Sequence, residues 1–147
     1  FDTQHRANAF EQVMRRSGHE VTPEQIAYGE YSVAWGKEWA VRAHARGRLT
    51  GAAVLAGNDE IACGILRAAE AAHVWVPDQL RIIGFDDTRL AQSVRPTLSS
   101  VALPMEDVGV AAVEMLVRRI ENRDAPATCV KLATKLVVRE SSTAMTF

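Results

Sequence analysis

Two short apolar runs in this chain end the same way. "GAAVLAG" (residues 51–57) stops at Asn58 and Asp59, and "RIIGF" (residues 81–85) stops at Asp86 and Asp87. Each run has the length of a strand, and each polar pair opens a helix or a turn. Helix-length segments stand between the apolar runs. That alternation predicts an α/β fold with a mainly parallel sheet flanked by helices. In such sheets ligands bind in the crevice beyond the carboxyl ends of the strands. The two polar pairs fall on that one edge, which favours a binding site there over chance.

The remaining segments fit the same plan. "QHRANAFEQVMRRS" (residues 4–17) puts Ala9, Phe10, Val13 and Met14 at helical spacing, and Gly18 stops it. An extended stretch, "IAYGEYS", follows. Ser32 can cap a second helix that runs to about Arg46 and ends at Gly47. The first apolar run reads as a strand buried on both faces. A third helix starts at Asn58 and Asp59. "VWVPDQL" is a loop punctuated by Pro77, and "LSSVALP" is extended again after a polar loop with Arg95 and Pro96. From Met105 to Asn122, Val108, Ala112, Met115, Leu116, Arg119 and Ile120 trace an amphipathic helix. "DAPA" breaks it, and "VKLATKLVVRE" closes the chain as one or two strands.

Composition removes several classes of function. The chain has 147 residues, with 48% apolar and 24% charged, enough for one soluble domain with a core. Its 17 basic and 18 acidic residues leave a net charge of −1, so no basic surplus points to nucleic acid within these residues. No apolar run approaches the ~20 residues of a membrane span, and no membrane role is expected. Cys63 and Cys129 read as reduced thiols of a cytoplasmic protein. The histidines at 5, 19, 44 and 73 have no ligand spacing, so neither a metal nor a cofactor is expected. Paired acids after a strand also hold Mg²⁺ in phosphate-transfer enzymes, with Asp59 as the possible third acid. The chain lacks a P-loop, a dinucleotide fingerprint and a nucleophile elbow, which argues against an enzyme and leaves no catalytic residue to name. Trp35 and Trp39, four apart on one helix, read as packing, and Trp75 as half-buried in its loop. The basic density from Arg42 to Arg48 suits a helix C-terminus.

An ordered series of motifs then narrows the class. It comprises "ND..A.G" from Asn58 to Gly64, "VP" at Val76 and Pro77, "IIGFDD" from Ile82 to Asp87, "P.L.SV..P" from Pro96 to Pro104, Gly109 in the next helix, and "VVRESS" from Val137 to Ser142. In that order and spacing the chain resembles the effector-binding core of the LacI/GalR family of bacterial transcriptional regulators, a periplasmic-binding-protein-like fold. The resemblance implies two α/β subdomains with a small-molecule cleft between them, behind an N-terminal helix-turn-helix DNA-binding domain. Residues 1–104 would be the C-terminal, Rossmann-type subdomain without its first strand. Residues 105–124 would be a helix of the N-terminal subdomain, and residues 125–147 the returning strands. The chain, which begins at Phe1, is thus expected to be a fragment that lacks its N-terminal part.

The resemblance also implies a site. Arg6, Tyr31, Asn58 and Asp86 carry over as ligand contacts, and that set suits a sugar: an arginine fork and a carboxylate for adjacent hydroxyls, and an aromatic face for the ring. Asp59 is read as the helix cap, and Asp87 stays open between cap, turn and support for Asp86. A homodimer surface would include Cys63, Arg67, Ser93, Val94 and Arg95. Effector binding would close the cleft and shift the dimer population able to grip operator DNA. The alternative is a periplasmic sugar-binding transport receptor of the same fold. Three positions depart from the family pattern. Ala9 replaces a glycine near Arg6. "LSSV" replaces the usual "LT(T/S)V". His73 stands where glycine is usual, which predicts a different turn after the third helix.

Overall fold

The computed structural model describes residues 2–124 and 126–143. Phe1 of the predicted first subdomain, and Ala125 and residues 144–147 of the predicted returning segment, lie outside the described residues. Helix α1 (Asp2–Arg16) and helix α2 (Val33–Ala45) precede strand β1 (Ala52–Leu55). Helix α3 (Asp59–Ala71), strand β2 (Leu80–Asp86), short helix α4 (Arg89–Ser93) and strand β3 (Ser99–Ala102) follow. Helix α5 (Met105–Glu121) and strand β4 (Lys135–Val137) complete the order. The sheet runs β1-β2-β3-β4. β1, β2 and β3 are parallel, and β4 joins β3 antiparallel. The mainly parallel sheet is as expected. Helix α4, only five residues long, lies inside what reads from sequence as a polar loop.

One face of the sheet carries the core. Leu80 and Ile82 of β2 alternate inward and are fully buried beneath Ile61, Ala62, Ile65, Ala68 and Ala69 of α3. Arg81, on the other face, is exposed. α2 lies along α3, and the two helices approach through glycines: a Cβ on Gly36 would collide with the Ile61 carbonyl, and one on Gly64 with the Val33 carbonyl. Trp35 and Trp39 pack against this core, as their spacing suggests. β1 departs from expectation. It is an edge strand here, with Leu55 50% exposed, so it is covered on one face rather than both. Small residues and strand length mark a buried strand in sequence, but the covering layer depends on what packs against it. Trp75 also departs from expectation: the residue is 69% exposed rather than half-buried. Its backbone does the structural work, since Trp75 O accepts from Gln79 N at 2.8 Å and from Leu80 N at 3.1 Å.

The turn after α3 keeps the geometry that a glycine would give. His73 sits at φ 55°, Val74 N donates to Ala69 O at 2.8 Å, and His73 N donates to Glu70 O at 3.1 Å. This is the paired bonding of a Schellman motif. The predicted change of turn does not occur, because the two backbone bonds and buried Val74 hold the left-handed residue in place.

The end of the chain plugs the sheet where β3 has not yet begun. Ile82 N donates to Ser141 O at 2.9 Å, and Ser141 Oγ donates to Ile82 O at 2.6 Å. The same hydroxyl accepts from Ser99 N at 2.9 Å. Arg139 N donates to Ser99 Oγ at 2.7 Å. Glu140 takes both the amide and the hydroxyl of Thr97, at 2.6 and 2.9 Å. These bonds, the backbone one first, hold the Glu140 carboxyl below the usual glutamate range, with Arg95 adding to the effect.

The turn after α3 and the terminal contacts each generate a prediction. His73 is exposed, so His73→Gly removes left-handed strain and loses little packing; it should raise stability by up to about 1 kcal/mol, read as a higher urea midpoint. Glu140 has a folded value below its unfolded value of about 4.3. Its contribution is therefore present above that pH and is lost as pH falls through the lower folded value. Urea midpoints across pH should show wild type above Glu140→Gln near neutrality, with the gap closing on the acid side. A gap independent of pH would contradict this.

Candidate functional site

The carboxyl ends of β1 and β2 lie side by side because the strands are parallel and in register from Ala52↔Leu80 to Leu55↔Ile83. The loop beyond β1 supplies Gly57 and Asn58, and the end of β2 supplies Phe85 and Asp86. α1 and the loop before α2 come over this edge. Arg6 donates from Nη1 to Gly57 O at 2.7 Å and from Nη2 to Tyr31 Oη at 3.1 Å. Its guanidinium lies over the Phe85 ring, 4.4 Å from the centroid. Tyr31 Oη also meets Thr3 Oγ1 at 2.5 Å. The Tyr31 ring packs closely over Gly57, where a Cβ would lie 3.3 Å from its Cε1, and the residue is 44% exposed.

The route by which Tyr31 is held runs through its own loop. Ser32 caps α2 by accepting from Trp35 N at 3.2 Å. The Trp35 indole sits so closely against Gly29 that any Cβ there would collide with it. The loop from 29 to 32 is thus pinned at both ends, and Tyr31 is placed between.

Asn58 is the cap of α3: its Oδ1 accepts from Ile61 N at 2.9 Å. That corrects the assignment of the cap to Asp59. Asn58 is extended (φ −157°) and precedes the helix, which is the position a cap requires, whereas Asp59 is already helical. With its oxygen on the helix, Asn58 offers a ligand its amide nitrogen. Asp59 turns inward instead and is 1% exposed. Its Oδ2 accepts from Thr88 N at 2.7 Å and Thr88 Oγ1 at 2.9 Å, and its Oδ1 accepts from Ser100 Oγ at 2.6 Å. Gly84 makes room for it, since a Cβ there would strike Asp59 Oδ1.

Asp86 is exposed at the strand end, at φ 97°, and Asp87 follows at φ 50°. Two consecutive non-glycine residues in the left-handed region cost of order 1 kcal/mol or more each. Asp87 serves the turn rather than a cap. Asp87 N donates to Ser100 Oγ at 3.0 Å, and its carboxylate lies 2.7 Å from Arg139 Nη1. That second contact is an ion pair whose alignment falls short of a hydrogen bond. Arg139 Nη1 also donates to Leu98 O at 2.7 Å.

The structure therefore brings Arg6, Tyr31 and Asn58 together around Gly57, with Phe85 under Arg6 and Asp86 next along the strand. Phe85, Thr88, Ser100 and Arg139 are not singled out by sequence. Phe85 follows from the period of β2, because it alternates onto the face away from the core. Ser100 was signalled only by a hydroxyl in an apolar strand.

Cys63, Arg67, Ser93, Val94 and Arg95 lie elsewhere and line one groove between α3 and α4, of about 310 Å³. Cys63 is fully buried and forms part of its floor. No group of three or more metal-ligating side chains occurs among the described residues. No helix among the described residues is long and apolar enough to cross a membrane.

The sheet presents Arg6, Tyr31, Asn58 and Asp86 at the carboxyl ends of its parallel strands, the edge at which α/β folds place their ligand crevices. The periplasmic binding protein-like domain model matches residues 2–142. Catabolite control protein A of Priestia megaterium is 32% identical over 137 residues, which cover 93% of this chain and 41% of that protein. Among solved structures, the transcriptional regulator CelR in complex with cellobiose superposes with a TM-score of 0.86 at 27% identity, covering 93% of this chain and 42% of the other. A LacI family transcriptional regulator from Lactobacillus casei with bound sucrose gives 0.81 at 25% identity, over 95% and 51%. The chain belongs to the periplasmic binding protein-like domain family, in the LacI/GalR group of regulators. It spans less than half the length of that catabolite control protein.

Proposed function

We propose that the chain is the effector-binding and dimerisation core of a LacI/GalR-type regulator and that its effector is a sugar or sugar derivative. The observation that carries this is the cup at the ends of β1 and β2. Arg6, stacked on Phe85, and the half-exposed Tyr31 meet there beside Gly57, with Asn58 next to that glycine in the chain and Asp86 exposed one residue beyond Phe85. Aromatic faces suit the C–H surface of a sugar, and the polar groups suit its hydroxyls. The cellobiose and sucrose held by the two structural neighbours support the same ligand class. The relatives are regulators, which favours this reading over a transport receptor and over an enzyme.

The rest of the assignment follows from the same reading. The groove lined by Cys63, Arg67, Ser93, Val94 and Arg95 serves a homodimer. α5 belongs with a second lobe: none of its residues is buried, and Val113, Leu116 and Ile120 are 61%, 59% and 69% exposed. Residues 1–104 form the ligand-binding subdomain, and the segment from 125 onward returns to it through β4 and Ser141. Operator DNA is bound by a helix-turn-helix domain outside this chain, in the cytoplasm. The effector shifts the population of lobe arrangements that can grip two half-sites.

The test is a thermal-shift screen of the full-length regulator against cellobiose, sucrose, glucose and glucose 6-phosphate. A ligand at a hundred times its dissociation constant should add about 2.7 kcal/mol to stability. In Asp86→Ala the affinity for the hit should fall by roughly ten- to a hundredfold, the loss expected for hydrogen bonds to a charged group. Sedimentation should show the dimer unchanged. An unaltered affinity in Asp86→Ala would remove Asp86 from the site.

A further inference from the structure

The turn that presents Asp86 is unfavourable by itself, and one buried carboxylate reaches it from another element. We propose that Asp59 is a positioning residue for the ligand-binding edge: it holds the Asp86–Thr88 turn in its left-handed form through Thr88 and Ser100. The turn's role in binding rests on the function proposed above, but the holding of the turn does not.

Three observations converge. Asp59 is 1% exposed, so its carboxyl oxygens depend on protein partners rather than on water. Those partners all lead to the turn. The amide and hydroxyl of Thr88 bond its Oδ2, and Ser100 Oγ bonds its Oδ1 while accepting from Asp87 N. Ser100 is a relay: its hydroxyl hydrogen is committed to Asp59, which aims its lone pairs at the Asp87 amide. Finally, Asp86 and Asp87 adopt φ 97° and 50° with no glycine to ease them. Such a conformation persists only where its surroundings over-determine it.

The same carboxylate also fixes the spacing of two ligand groups. Asp59 follows Asn58 directly in the chain, so the residue that locks the Asp86 turn is attached to the Asn58 cap. Asp59 thus ties the end of β1 to the end of β2 beyond the sheet, as Arg6 does through Gly57 O and the Phe85 ring. Gly84 is required for that junction, since a side chain there would displace the Asp59 carboxylate.

The experiment is amide hydrogen exchange on the full-length protein, with titration by the same four sugars as a second readout. Variants are Asp59→Asn, Ser100→Ala, Thr88→Val and Thr88→Ser. In Asp59→Asn and Ser100→Ala, exchange at Asp87 and Thr88 should quicken by roughly tenfold or more, the loss expected for unpaired buried groups. Exchange at Ile65 and Leu66 in the middle of α3 should stay within about twofold, since no bond there is altered. Thr88→Val should quicken the turn, and Thr88→Ser, which restores the hydroxyl, should not. Any panel sugar that binds wild type should bind Asp59→Asn more weakly by at least the same factor. Unchanged exchange at Asp87 and Thr88 in Asp59→Asn and Ser100→Ala overturns the proposal, and so does quickening spread evenly over α3. If Asp59→Asn does not fold, Ser100→Ala and the Thr88 pair decide it. If no sugar binds wild type, the function proposed above fails while the exchange result still decides this one.

Discussion

A carboxylate with almost no exposure to water, Asp59, accepts three hydrogen bonds from two other segments of the chain. A buried charge is costly unless it is paired or fully hydrogen-bonded. Here the compensation comes from a strand hydroxyl and from the first residue beyond the β2 turn. The dependence runs both ways. The turn is strained without the carboxylate, and the carboxylate is uncompensated without the turn. Helix α3, strand β3 and the carboxyl end of β2 are therefore fixed relative to one another by polar contacts. The apolar core of Leu80, Ile82, Ile65 and Leu98 fixes only the spacing of the layers. Apolar packing is non-directional, and the hydrogen bonds supply the register.

A second polar junction works at the opposite end of β2. β3 pairs with β2 only from Ser99 onward, so the amide of Ile82 would have no strand partner. Ser141 fills that place with its carbonyl and its hydroxyl. Arg139 then reaches from this plug to Leu98 O and to Asp87, the residue after Asp86. The segment around Arg139 is thus in contact with the turn at the carboxyl end of β2. Both ends of β2 are secured by residues distant in sequence.

Much of the fold was legible because it rests on local signals. Ser32 before a helical period, glycines at 18 and 47 and the alternation of apolar runs with helices all have local physical causes, and each element appears where those causes put it. What was not legible depends on partners. β1 has the composition of a buried strand, yet its second face is open, and no local signal reports what covers a face. Trp75 looks like a core residue by size, but its structural role lies in its backbone. His73 breaks the usual glycine preference, and the turn survives because Val74 is buried beside it. Asn58 and Asp59 were exchanged in role. Two adjacent residues that can both accept at a helix start are separated only by their φ and by the hydroxyls that come to meet them from residues 88 and 100. Arg6, Tyr31, Asn58 and Asp86 were placed by resemblance to a family. Their neighbours Phe85 and Ser100 follow from strand period only once the inward face of β2 and β3 is known.

The state of Arg6 bears on how such a cup would respond to a ligand. Its guanidinium donates to Gly57 O and Tyr31 Oη and rests on Phe85. Tyr31 is pinned by Ser32 and by the Trp35–Gly29 contact, and the Asp86 turn by Asp59. On the proposed reading, these contacts within the protein hold the side chains of this half of the cleft in place, so binding spends little on ordering them. A pre-ordered half changes little on binding and cannot by itself carry a signal, because a ligand shifts an equilibrium only through states it binds unequally. The two unequal states must then differ in how a second surface meets this edge. α5, with an apolar face left open on the described chain, is the element on which such a surface would sit.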